Sequence, residues 1–69
     1  SLGKFDLIFC LNVLIYFSLQ AQEYIFDSFR KSLRSGGFLV LGKVETLFGQ
    51  AKEYFTPFDL KERIYQLNG

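Results

Sequence analysis

Four consecutive apolar residues, Leu7-Ile8-Phe9-Cys10, leave no polar side for water. Such a run suits a strand covered on both faces, as in a parallel sheet between helices. The apolar stretch continues to Phe17, is broken at Asn12 and closes at Ser18. In open α/β sheets, ligands bind beyond the carboxyl ends of the strands, so Asn12, the first polar residue after the run, is a candidate ligand contact. The alternative is that Asn12 caps the following turn with its side-chain oxygen. Val13 to Phe17 then reads as a short helical turn or loop that packs its apolar side chains under the site.

A helix is expected next, from about Leu19 to Leu33. Ser18 is a good N-cap, and Ala21, Ile25, Phe29 and Leu33 recur every four residues, with Tyr24 and Phe26 widening the stripe. Glu23 and Asp27 lie in the first half, and Arg30, Lys31 and Arg34 near the end, as the helix dipole favours. Gly36 and Gly37 are read as its left-handed stop. Phe38 to Leu41 forms a second unbroken apolar run, which completes strand, helix, strand and hence a parallel βαβ unit. Gly42 and Lys43 end that strand on the same carboxyl-terminal edge as Asn12.

The remainder is less regular. Leu47, Phe48 and Ala51 can form one short helical piece between Glu45 and Lys52, interrupted by Gly49. Tyr54 to Leu60 and Arg63 to Leu67 read as an antiparallel hairpin turning at Lys61-Glu62, with Pro57 confining its first arm to an edge or bulge. Ser1 to Lys4 is a polar lead-in.

Composition narrows the function classes. The chain is 49% hydrophobic and 19% aromatic over 69 residues, which is globular content. One cysteine and no histidine rule out an internal disulfide and give no ligand set for zinc, so no metal site is expected. Cys10, with no histidine to activate it, is read as a small buried hydrophobe. Eight basic and seven acidic residues are mixed along the chain, for a net charge of +1, so no polybasic footprint points to nucleic acid or anionic lipid. No run approaches the roughly 18 apolar residues of a membrane span. A soluble cytoplasmic protein is the expectation.

The string Phe-Asp-Leu-Ile-Phe-Cys-Leu-Asn-Val-Leu-Ile-Tyr-Phe at 5–17 resembles the Phe-Asp-x-Ile-x-Cys-Arg-Asn-Val-x-Ile-Tyr-Phe segment of the CheR-type methyltransferases. The likeness continues through Ser35-Gly36-Gly37-Phe38-Leu39-Val40-Leu41-Gly42, Glu45, Leu47 and Ile64-Tyr65. It implies an α/β fold: the C-terminal part of a Rossmann-like class I methyltransferase sheet, a parallel βαβ unit followed by an antiparallel hairpin. Residues 1–69 would be a partial catalytic domain. The resemblance further implies S-adenosylmethionine as cofactor, contacted by Asn12 and Val13. Tyr16 would stand near methyl transfer, and chemoreceptor glutamates would be the acceptors. An alternative of another class is a non-catalytic CheR-like α/β interaction module.

Two departures matter. The family's arginine before the asparagine is Leu11 here, and its Gly-His-Ser-Glu is Gly42-Lys43-Val44-Glu45. Either the substrate is altered, or Lys43 supplies the lost cation from the adjoining strand end. The glycine-rich cofactor turn of class I methyltransferases is not in this sequence, since Gly36-Gly37 follows a helix and opens a strand. The chain alone is therefore expected to be inactive. One helix covers only one face of two strands, so self-association is expected as well.

Overall fold

A computed structural model describes residues 4–68, so Ser1 to Gly3 of the lead-in lie outside the described residues. The elements run β1 (Phe5–Cys10), a 3-10 turn (Leu14–Tyr16), α1 (Leu19–Ser32), β2 (Leu33–Leu41), α2 (Ala51–Tyr54), β3 (Phe55–Asp59) and β4 (Ile64–Leu67). They form a mixed four-stranded sheet in the order β1-β2-β4-β3. β1 and β2 pair in parallel, with Leu7 opposite Phe38 and Cys10 opposite Leu41. β4 is antiparallel to both β2 and β3.

The helix starts where its cap predicts, the Ser18 hydroxyl accepting from the Ala21 N–H at 3.1 Å. It stops sooner than the glycines suggest, at Ser32, with Leu33 already extended. Gly36 is left-handed, at φ 81°, but it belongs to an excursion in β2 and does not cap the helix. Between the Phe5–Leu33 and Leu7–Phe38 pairs β2 carries the extra residues of this excursion. The excursion is pinned by Gln66, whose side-chain N–H donates to the Gly36 carbonyl at 3.1 Å. The expected stripe is also corrected at Tyr24, which is exposed, while Phe26 is completely buried and centres the core. Phe26 meets Phe29 and Phe48 edge-on at centroid distances of 6.4 and 6.0 Å. Asp27, on the outer side, binds Arg30 at 2.6 Å and Lys31 at 3.1 Å.

The short second helix lies later than expected, at Ala51–Tyr54, because Gly49 takes a left-handed φ of 61° just ahead of it. Leu47 nevertheless reaches the core. The hairpin forms as anticipated, and β3, which carries Pro57, is the outer strand. At such an edge a missing N–H costs no inner ladder bond.

Burial of both strands on both faces does not occur in the described residues. Leu39 and Leu41 point into the helix-covered core and are buried, whereas Leu7 is 47% and Phe9 64% exposed. Leu7, Phe9, Phe38, Val40, Phe58 and Ile64 line a broad apolar groove on the opposite face. There Phe38 and Phe58 meet edge-on at 5.0 Å. The unbroken apolar run thus records a two-sided environment, of which these residues supply one side. No helix is long and apolar enough to cross a membrane among the described residues.

Candidate functional site

The carboxyl-terminal edge of the two parallel strands is built around a carboxylate. After β2, the Glu45 N–H donates to the Gly42 carbonyl at 3.1 Å, closing a four-residue turn. The turn folds the Glu45 side chain back beneath the strand ends, where the residue is 4% exposed. Its Oε1 accepts from the N–H groups of Asn12 at 3.1 Å and Gly42 at 2.8 Å. Its Oε2 accepts from the N–H groups of Val13 and Leu14, each at 2.8 Å. Four backbone donors therefore converge on one buried charge from both strand-end loops.

Burial alone would raise the carboxyl pKa. The bonds from Gly42, Leu14, Asn12 and Val13 outweigh it and hold Glu45 below the usual carboxylate range. The same charge acts on Cys10: burial first, and then Glu45, push its thiol up, so Cys10 is a protonated core residue. The structural reading of the cysteine therefore holds.

Glu45 also decides the Asn12 alternatives in part. The 3-10 turn has Val13 as its N-cap without a side-chain bond, and it is the Glu45 carboxylate that takes its free N–H groups. Asn12 is left-handed, at φ 57°, a conformation asparagine tolerates better than most residues. Its side chain folds over Gly42. A Cβ on Gly42 would lie 2.6 Å from Asn12 Oδ1, 2.9 Å from Asn12 N and 3.0 Å from Glu45 Oε1. Close approach at this glycine is thus made by the protein's own loop.

The expected apolar packing beneath the site is confined to Leu14, which is buried. Val13, Ile15 and Phe17 are exposed, and Tyr16 is 81% exposed. Gln22 ties this segment to α1, its side-chain N–H groups donating to the carbonyls of Leu14 at 2.8 Å and Phe17 at 3.0 Å. Beside Asn12 an open cleft of about 460 Å³ is lined by Leu11, Asn12, Val40, Leu41, Gly42, Lys43 and Glu62. Asn12 thus borders a cavity at the strand ends, while Tyr16 lies outside its lining. Lys43 extends across the edge, its ammonium donating to the Lys61 carbonyl at 3.2 Å and to Glu62 Oε1 at 3.3 Å.

Sequence reasoning placed Glu45 only as the end of a matching string and gave it no role. The available signal was local: a glycine closing an apolar strand with a carboxylate three residues on, the spacing that lets a side chain return to its own turn.

Comparison with known proteins identifies the family. The family described as "CheR methyltransferase, SAM binding domain" matches residues 1–64. Chemotaxis protein methyltransferase Cher2 of Pseudomonas putida is 50% identical over 54 residues, covering 78% of this chain and 20% of that protein. A chemotaxis protein methyltransferase of Vibrio anguillarum is 47% identical over 53 residues, covering 77% of this chain and 19% of that protein. A probable chemotaxis protein methyltransferase of Rhizobium etli is 40% identical over 67 residues, or 97% of this chain and 25% of that protein. The chain thus spans between 19% and 25% of the length of these relatives. With a family match over residues 1–64 and an α/β sheet consistent with it, the chain belongs to the CheR methyltransferase SAM-binding-domain family.

Proposed function

We propose that residues 1–69 form the C-terminal part of the Rossmann-like catalytic domain of an S-adenosylmethionine-dependent methyltransferase that esterifies glutamate carboxylates of chemoreceptors in the cytoplasm. The observation that carries this reading is the Glu45 clamp, which fixes Asn12 beside a cleft at the carboxyl ends of parallel strands. The donor set fits one edge of a cofactor site. Both backbone N–H groups of Asn12 and Val13 are committed to Glu45. Asn12 therefore contributes its side-chain amide, which can donate and accept, and Val13 its exposed isopropyl group.

The cofactor, when bound, supplies an electrophilic methyl on a sulfonium. A glutamate acceptor is already ionised at neutral pH, so its oxygen attacks without a general base. The residues of this chain contribute alignment and apolar walls. Tyr16 presents an exposed hydroxyl on the turn after Asn12, where it would donate to the acceptor carboxylate and orient it.

Leu11 favours the second reading, a non-catalytic module, because it lines the cleft where the family carries an arginine. Calorimetric titration of adenosylhomocysteine into the full-length protein separates the two. Binding by the full-length protein and none by the 69-residue chain is the expected result. No binding by either would favour the module.

The open apolar groove on the uncovered sheet face leads us to infer that the isolated chain self-associates. Light scattering at high micromolar concentration should give a mass above the 8.0 kDa of one chain. A monodisperse monomer would contradict it.

A further inference from the structure

We infer that Lys43 is the cation that receives the acceptor carboxylate, and that Glu62 holds its place until the acceptor arrives. The inference rests on the proposed glutamate methyltransferase reading and adds to it a specificity-determining pair.

The cleft beside Asn12 has Leu11 and Val40 as apolar walls, and among its lining residues Lys43 is the one cation and Glu62 the one anion. These two are bonded to each other, Lys43 Nζ to Glu62 Oε1 at 3.3 Å. Glu62 has the same side-chain group as the proposed acceptor, so it already shows how a carboxylate meets this rim. The arrangement is directed from both sides. Lys43 Nζ also donates to the Lys61 carbonyl, which keeps the ammonium at the mouth of the cleft. Glu62 is steadied by its own N–H, which donates to Asp59 Oδ1 at 3.2 Å in the hairpin turn.

Exchange is cheap. The side chains are 70% and 52% exposed, and water screens a pair this open, so little is lost when its partners separate. A carboxylate brought in by the binding of a protein substrate can therefore displace Glu62 at little cost. Lysine suits such a role, because its ammonium is a compact charge on a flexible stem that can follow the incoming group. The Glu45 carboxylate is not a competitor, since it is buried and held by four N–H groups.

The test uses the full-length protein, labelled adenosylmethionine and a purified chemoreceptor cytoplasmic fragment as acceptor. Lys43→Gln should raise the KM for the acceptor about tenfold, Lys43→Arg should restore most of it, and Glu62→Gln should lower KM about twofold to threefold. The Kd for adenosylhomocysteine should stay within about twofold throughout, which separates acceptor positioning from damage to the fold. An unchanged acceptor KM in Lys43→Gln, with methyl transfer intact, overturns the inference and leaves the methyltransferase reading standing. Absence of both adenosylhomocysteine binding and methyl transfer in the unsubstituted protein removes that reading, and this inference with it.

Discussion

Replacing Glu45 with glutamine should destabilise the strand-end loops by about 3 kcal/mol and weaken adenosylhomocysteine binding by the full-length protein. The reasoning follows the oxygen assignment. Oε1 serves Asn12 and Gly42, and Oε2 serves Val13 and Leu14. A glutamine has one acceptor oxygen, so whichever pair it keeps, the other two N–H groups face an amide NH₂. Two donors are then opposed by donors in a buried place, and each unsatisfied group costs about 1–3 kcal/mol. Urea unfolding of the full-length protein and its variant measures the stability, and calorimetry measures the affinity. A variant as stable as the parent would show that water or rearrangement satisfies the loop, and that Glu45 is not the clamp.

The same residue predicts a pH dependence. Folding lowers the Glu45 pKa, so in acid the unfolded chain binds the proton more readily than the folded one. Its stabilisation is complete above the unfolded value of about 4.3 and is lost as the pH falls through the lower, folded value. The stability gap between the parent and the glutamine variant should therefore be full at neutral pH and shrink below about pH 4.

This clamp marks the boundary of what the sequence made legible. Apolar runs, the Ser18 cap and Pro57 encode short-range preferences, and they sufficed for the parallel pair, the helix start and the outer hairpin strand. Asn12 could be placed at a strand end because strand polarity is enough to locate an edge. Glu45 could not be assigned, because its partners Asn12, Val13 and Leu14 lie 31 to 33 residues away, and only the folded register brings them together. Gly36 misled for a related reason. A left-handed glycine after a helix usually serves the helix, yet here its carbonyl answers to Gln66 across the sheet. The outward exposure of Leu7 and Phe9 was hidden in the same way, since a run records that a face is covered without naming the cover.

Gly42→Ala should open the same site as loss of the carboxylate, although it removes no hydrogen-bonding group. The added methyl would stand 2.6 Å from Asn12 Oδ1, a contact the side chain could relieve by rotating. It would also stand 2.9 Å from Asn12 N and 3.0 Å from Glu45 Oε1. Those two atoms are bonded to each other at 3.1 Å, so neither can retreat without opening the clamp. Nor is there space beneath, because Gly42 is buried between the two loops and its own N–H is tied to Glu45. Overpacking of this kind typically costs about 1–3 kcal/mol, and here it falls on the backbone that presents Asn12. The expected outcome is a protein that still folds, because β1 and β2 pair upstream of the clash, but that loses at least tenfold in adenosylhomocysteine affinity. Combining Gly42→Ala with Glu45→Gln should cost much less than the sum of the two, since both open the same four-bonded junction. Full additivity would mean that the glycine and the carboxylate act separately, and that the loop is held by something other than the bonds joining Gly42, Asn12 and Glu45.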